Sequence, residues 1–207
     1  IVHLQRWIIE AVCAQLKRWQ KDPNFNSKIG VSINVPSLQL LQTSFVKHLK
    51  FNLDKYQIAL HLITWEISEY LIGENPQEVG IILPQLKQLG IQLQLDNFGR
   101  VASIYGRVRP NLLYKEFERV KIDRHLISLI ERDQQAWDVL KKILLDLKKQ
   151  GFSMTITGIE NLSQLNKVKE LAGDYGQGNL LSKPLSAAEA TNLMSSNQAM
   201  FDKSNLN

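Results

Sequence analysis

Cysteine is nearly absent from this chain of 207 residues, in which Cys13 is the only one. One cysteine excludes an internal disulfide and a zinc site built from several thiolates, and it fits a reducing cytoplasmic setting. The chain also has no apolar run near the roughly 20 residues that a membrane helix needs. No basic and apolar leader opens it. We therefore expect a globular, cytoplasmic protein without a membrane segment in this chain.

Several functional motifs are missing as well. No Gly-x-Gly-x-x-Gly run follows a strand pattern, which argues against a dinucleotide fold, and no nucleophile elbow is present. The four histidines have no metal-ligand spacing. The net charge is +5, but the aromatic residues do not interleave with the basic ones as a nucleic-acid platform requires. We expect no DNA or RNA partner, whereas a small anionic ligand suits this charge.

Strand and helix patterns alternate along the chain, and this order is typical of a parallel sheet covered by helices. The helices include 134–149, which stops before Gly151, and 162–171. Six segments are predicted as strands: 28–35, 58–66, 91–96, 117–123, 152–157 and 175–177.

The number of strands favours an incomplete barrel. A closed (β/α)8 barrel uses eight strands and roughly 250 residues. We therefore predict a TIM-like barrel that lacks about the first one or two strands, cut from a longer polypeptide. Residues 1–194 are predicted to form this partial barrel domain, and the polar residues 195–207 to form a loose tail.

Polar residues collect where the predicted strands end. The run LQLDNFG at 93–99 places Asp96 and Asn97 at a strand end before a glycine turn. Oxygen ligands of this kind suit magnesium or manganese, which can clamp a phosphodiester. Taken singly, each residue more often caps a helix or pairs with a neighbouring charge. The pattern as a whole contains Asn34, Glu66, Glu69, Asp96, Asn97, Lys121, Asp123, Thr157, Glu160 and Gln177.

These motifs resemble the EAL domain family, which comprises bacterial cyclic di-GMP phosphodiesterases on a modified β/α barrel. The resemblance runs from about Ile1 to Leu193. LGIQLQLDNFG is similar to LGVRLALDDFG, EISE to EITE, TITGIENLSQL to VIAEGVETEEQL, and QGNLLSKPL to QGYLLGKPL. INVPSLQL resembles the family's N-x-S segment, and VKIDR matches strongly. The fold that the resemblance implies is an EAL-type barrel.

The resemblance also implies a role for each matching residue. Lys121 falls on the lysine that helps to place the catalytic water, Glu160 on the second glutamate of the EGVE loop, and Glu66 on a glutamate whose role stays open. Gln177 and Asp123 are predicted to bind substrate. The expected cofactor is Mg²⁺ or Mn²⁺, and its predicted ligands are Asn34, Glu69, Asp96 and, more weakly, Asn97.

Departures from the family pattern predict impaired catalysis. Asn97 replaces the second aspartate of DDFG, and Thr157 replaces the first glutamate of EGVE. An amide brings no charge to a metal, and the loss of a general base costs about 10²–10⁴-fold in rate. The loop TGYSS becomes RVASI at 100–104. The EAL tripeptide itself is expected upstream of this chain.

Three functions stay open at this point. The chain is predicted to be a regulatory module that binds cyclic di-GMP with little or no turnover. The alternatives are an active phosphodiesterase that produces pGpG, and a dimerisation or scaffold module that binds no nucleotide. The expected partners are cyclic di-GMP, a second copy in a homodimer, and an upstream sensor or GGDEF-type domain in the parent chain.

Overall fold

The computed structural model describes residues 2–22, 25, 29–42, 44–100, 112–130, 133–171 and 173–195. Its centre is one parallel sheet of six strands whose spatial order is their order in the chain. This continuous order is that of a barrel wall. The strands are β1 (Val31–Asn34), β2 (Ile63–Ser68), β3 (Gln92–Phe98), β4 (Arg119–Ile122), β5 (Ser153–Thr157) and β6 (Tyr175–Gln177).

Helices connect the strands. They are α1 (Val2–Gln20), α2 (Ser37–Leu40), α3 (Phe45–Tyr56), α4 (Glu69–Glu74), α5 (Pro76–Gln88), α6 (Arg124–Ile130), α7 (Gln134–Lys149), α8 (Leu162–Glu170) and α9 (Ala187–Ser195). Local sequence sets several of these limits. The side chain of Asp133 accepts hydrogen bonds from the first N–H groups of α7, and Asn161 does the same for α8. Gly90 follows α5 with a φ of 79°, a conformation that favours glycine.

The predicted order of strands and helices is confirmed, with differences at the boundaries. The second strand begins at Ile63 and not at residue 58, because Leu60–Leu62 forms a 3-10 turn. The third strand continues to Phe98. Two helices, α2 and α3, lie between β1 and this 3-10 turn. Residues 196–207 of the predicted tail and 101–104 of the altered loop lie outside the described residues.

The two faces of the sheet differ sharply in polarity. Ile63, Trp65 and Ile67 of β2 are at most 1% exposed, and Trp65 makes an edge-on ring contact with Phe45 of α3. This face is therefore the one that the helices cover. The opposite face, here called the inner face, is polar. On β1 to β5 it carries Ser32, Asn34, Thr64, Glu66, Ser68, Gln92, Gln94, Asp96, Arg119, Lys121, Ser153, Thr155 and Thr157.

Polar side chains on the inner face bond to one another across the strands. The Gln94 amide donates to the Thr155 hydroxyl over 3.2 Å, and the Thr64 hydroxyl donates to the Gln92 side chain over 3.4 Å. These bonds satisfy groups that would otherwise be costly to bury. Among the described helices, none is long and apolar enough to cross a membrane.

Candidate functional site

The end of β3 brings two adjacent side chains to the same place. In a regular strand, neighbouring side chains point to opposite faces. Here the register of β3 against β4 shifts between Leu95 and Phe98, and Asn97 has a left-handed φ of 56°. Asp96 and Asn97 consequently line one cavity, and the Asn97 amide donates to Asp96 Oδ2 over 2.7 Å.

A lysine lies between two carboxylates on the inner face. Lys121 Nζ is 2.8 Å from Glu66 Oε2 and 3.9 Å from Asp96 Oδ1. Glu66 is only 5% exposed, so this ion pair is largely shielded from water. Burial raises the pKa of Asp96, Lys121 opposes that rise, and the charge of Glu66 adds to it. The cluster therefore holds more negative charge than one ammonium group neutralises.

Glu69 makes different contacts from those of the other predicted site residues. Its Oε2 accepts a hydrogen bond from the Gly99 N–H over 2.9 Å, and its Oε1 accepts one from the Tyr114 hydroxyl over 2.7 Å. Burial and the adjacent carboxylate raise the pKa of Tyr114. Both oxygens of Glu69 thus hold the turn after β3 and the segment before β4. Sequence reasoning missed Tyr114, since a tyrosine in a connection carries no motif.

The ends of β4, β5 and β6 form the other side of the site. Asp123 is 7% exposed, and its Oδ1 accepts a hydrogen bond from the His125 N–H at the start of α6. The Thr157 hydroxyl donates to the Ile122 carbonyl over 2.7 Å. Glu160 and Gln177 are exposed, which leaves their side chains accessible to a ligand.

These strand ends surround a polar cavity of about 410 Å³. It brings together seven of the predicted residues: Asp96, Asn97, Lys121, Asp123, Thr157, Glu160 and Gln177. It adds Arg100, Arg124, Gly158, Gly178 and Asn179. Asn34 pairs with Glu66 in the sheet register but is not among these lining residues, and neither is Glu69. Arg100 was detectable from sequence as the cation that directly follows the DNFG motif.

The arrangement of donors does not fit a divalent metal ion. Among the described residues, no group of three or more His, Cys, Asp or Glu side chains is placed to hold one. Asn97 presents an N–H to Asp96, and Lys121 places an ammonium group beside the same carboxylate. Both oxygens of Glu69 are already hydrogen-bonded. The metal-ligand roles of Asn34, Glu69, Asp96 and Asn97 stay predictions from the family resemblance.

Comparison with known proteins identifies the family. The family model described as "EAL domain" matches residues 1–184. The chain belongs to the EAL domain family. The signalling protein YkoW of Bacillus subtilis is 25% identical over 185 residues, which are 89% of this chain and 22% of that protein. The cyclic di-GMP phosphodiesterase PdeA of Borreliella burgdorferi is 32% identical over 166 residues, 78% of this chain and 24% of that protein.

Solved EAL structures have the same fold. The PaMucR phosphodiesterase in complex with c-di-GMP superposes with a TM-score of 0.81 at 22% identity, covering 92% of this chain and 74% of that one. The manganese and cyclic di-GMP complex of BlrP1 from Klebsiella pneumoniae gives a TM-score of 0.72 at 18% identity, covering 88% and 44%. The predicted TIM-like EAL barrel is thus confirmed. The chain spans less than a third of the two curated relatives described above.

Proposed function

We propose that this EAL domain binds cyclic di-GMP in the cavity at the strand ends and hydrolyses it slowly or not at all. The cavity is polar, and it is lined from the same strand ends where parallel β/α proteins bind their ligands. We name cyclic di-GMP as the ligand because the solved structures of PaMucR and BlrP1 are described as complexes with this nucleotide. Bound nucleotide would then act as a signal.

The amide of Asn97 is the observation that carries the proposal. In place of a carboxylate that would attract a cation, the site has an N–H that donates to Asp96. A two-metal phosphodiesterase depends on carboxylate charge to hold its cations against the anionic substrate. Asparagine has nearly the size of aspartate and differs from it mainly in charge, so we expect ligand binding to be less affected than turnover.

Thr157 supports the same conclusion. Its hydroxyl donates to the Ile122 carbonyl, and a threonine hydroxyl cannot accept a proton from water near neutral pH. Glu160 is the one carboxylate near β5 that lines the cavity among the described residues. Its backbone N–H bonds to the Gln164 side chain, which fixes the loop but does not supply the missing base.

Calorimetry and product analysis of the full chain test this function. We expect cyclic di-GMP to bind and pGpG to form at less than about 1% of the rate of an active relative. The reason is that position 97 lacks a carboxylate charge and position 157 lacks a general base. Metal-dependent pGpG formation at a comparable rate would instead identify an active phosphodiesterase. Absence of nucleotide binding would favour the scaffold module.

A double variant tests the cause of the defect. Asn97→Asp with Thr157→Glu restores two carboxylates, so we expect Mn²⁺ affinity to rise, measured by calorimetry. The control is Asn192→Asp with Ser195→Glu, which adds the same two charges on the exposed surface of α9. Equal metal affinity in the two double variants would contradict this explanation.

The proposal extends to the domains that accompany this one, to its oligomeric state and to its location in the cell. MucR of Pseudomonas aeruginosa is described as a bifunctional diguanylate cyclase and phosphodiesterase, and this chain covers 27% of it. We propose that the parent protein likewise joins the EAL domain to a sensor or a GGDEF-type domain and acts as a homodimer. A cytoplasmic location, where free thiols such as Cys13 stay reduced, fits this signalling role.

A further inference from the structure

We propose that Arg100 contacts the phosphate of the bound nucleotide and replaces the divalent metal in ligand binding. This inference rests on the function proposed above. Arg100 directly follows the turn after β3 and is exposed. It lines the 410 Å³ cavity and also a second opening of about 490 Å³ that includes Asn97, Ser68 and Tyr70. Arg100 therefore lies where the two openings meet.

The charge balance of the cavity supports binding without a metal. The described lining residues include three carboxylates, Asp96, Asp123 and Glu160, and three cations, Arg100, Lys121 and Arg124. Their formal charges cancel, and Glu66, which pairs with Lys121 beside the cavity, adds one negative charge. With carboxylates at positions 97 and 157 the same lining would carry two more negative charges. A lining of that kind repels a phosphodiester more strongly, so it depends more on a bound cation than the present lining does.

Hydrogen bonds of the turn fix the backbone position of Arg100. The Arg100 N–H donates to the Asn97 carbonyl over 3.1 Å, which closes a four-residue turn. Gly99 is the third residue of this turn, and its φ of 85° is the conformation that type II turns require there. The bond from the Gly99 N–H to Glu69 holds the turn against α4. The Arg100 side chain thus extends from a backbone that these hydrogen bonds hold in place.

Arginine is suited to this task because its planar guanidinium group forms paired hydrogen bonds to phosphate oxygens. Lys121 is less available, since its ammonium group is engaged by Glu66 and lies near Asp96. Arg124 is the first residue of α6, directly after β4. A Cβ added at Gly158 would clash with Arg124 Cβ, so Arg124 packs closely against the loop after β5.

Calorimetric titration of the full chain with cyclic di-GMP tests the inference. We expect the dissociation constant to be the same, within about threefold, in excess EDTA and in excess Mg²⁺. Arg100→Gln should weaken binding by roughly 10- to 100-fold in both buffers, because a charge-assisted hydrogen bond is lost. Arg100→Lys should retain part of the affinity, since the charge remains and the paired geometry does not.

The matched control is Lys142→Gln, which removes one positive charge from an exposed position of α7. It should leave affinity unchanged, so a general charge effect is separated from a phosphate contact. Affinity that rises more than about tenfold with Mg²⁺, or an Arg100→Gln variant that binds like the original chain, would overturn the inference while the proposed function stands. Absence of binding in every buffer would overturn the proposed function itself.

Discussion

Tyr114 donates its hydroxyl hydrogen to Glu69 Oε1 over 2.7 Å, and this bond joins the segment before β4 to the first residue of α4. The other carboxylate oxygen of Glu69 accepts the Gly99 N–H. One side chain thus fixes both ends of the connection that follows β3. The backbone conformation of Asn97 and the backbone position of Arg100 depend on the same turn.

The first prediction concerns Tyr114→Phe. The change removes a hydrogen bond to a charged group and leaves a shielded carboxylate oxygen without its donor. We expect the free energy of unfolding to fall by about 1–3 kcal/mol, measured by urea denaturation. Tyr70→Phe is the control, because Tyr70 is 58% exposed, and it should change stability by less than about 0.5 kcal/mol. Equal effects of the two changes would show that the bond to Glu69 contributes nothing.

The second prediction concerns Gly99→Ala. Gly99 has a φ of 85°, and an added Cβ would lie 2.6 Å from a side-chain methyl carbon of Leu126. Backbone strain and this clash should lower the free energy of unfolding by about 1–3 kcal/mol. Gly73→Ala in α4 meets no atom within 4 Å, so it should be neutral or stabilising by up to about 1 kcal/mol. Thermal denaturation of both variants measures the difference, and a harmless Gly99→Ala change contradicts the turn described above.

The third prediction is a pH dependence. Burial raises the pKa of Asp96, so the native state binds this proton more tightly than the unfolded chain. The stability that Asp96 contributes is therefore fully present below its unfolded pKa and is lost as the pH rises through the raised native pKa. We expect Asp96→Asn to increase the free energy of unfolding at pH 7, and to do so less at pH 4.

Urea denaturation at both pH values measures this difference. The control is Asp54→Asn at an exposed position of α3, which should show little difference between the two pH values. A stabilisation by Asp96→Asn that is equal at pH 4 and pH 7, or greater at pH 4, would contradict the described environment of Asp96.

The fourth prediction concerns the thiol of Cys13. It is fully buried in α1, and burial raises its pKa to about 11. At pH 8 this shift alone, from 9.0 to about 11, reduces the reactive thiolate roughly 100-fold. We expect the native chain to react with Ellman's reagent at least that much more slowly than the same chain in urea. Similar rates in both conditions would show that α1 does not pack as described.

The sequence was sufficient to predict the strands because apolar residues alternate with polar ones across them. The pattern Ile63, Trp65, Ile67 against Thr64 and Glu66 identifies one covered face and one polar face. Boundaries were harder to predict, since Leu60–Leu62 is apolar like a strand yet forms a 3-10 turn. Local backbone hydrogen bonds, such as the one from the Leu62 N–H to the Ala59 carbonyl, determine where β2 begins, and composition does not reveal them.

Residues at the ends of β3 to β6 were predictable as neighbours from the sequence, whereas contacts that depend on the tertiary structure were not. Asp96 and Lys121 lie on the neighbouring strands β3 and β4, which brings their side chains together. The positions of both residues at predicted strand ends were sufficient to predict this proximity. The contact of Glu69 with Tyr114 joins residues 45 positions apart, and no local pattern encodes it. The left-handed Asn97 likewise depends on the register shift of β3 against β4.

The most direct test of the account is to incubate the full chain with stoichiometric cyclic di-GMP and Mn²⁺, then to separate bound from free nucleotide and identify both by chromatography. We predict that the protein retains the nucleotide and that the retained material is intact cyclic di-GMP. Conversion to pGpG at the rate of an active relative, or failure of the protein to retain any nucleotide, would contradict the claim that this domain binds its ligand without turning it over.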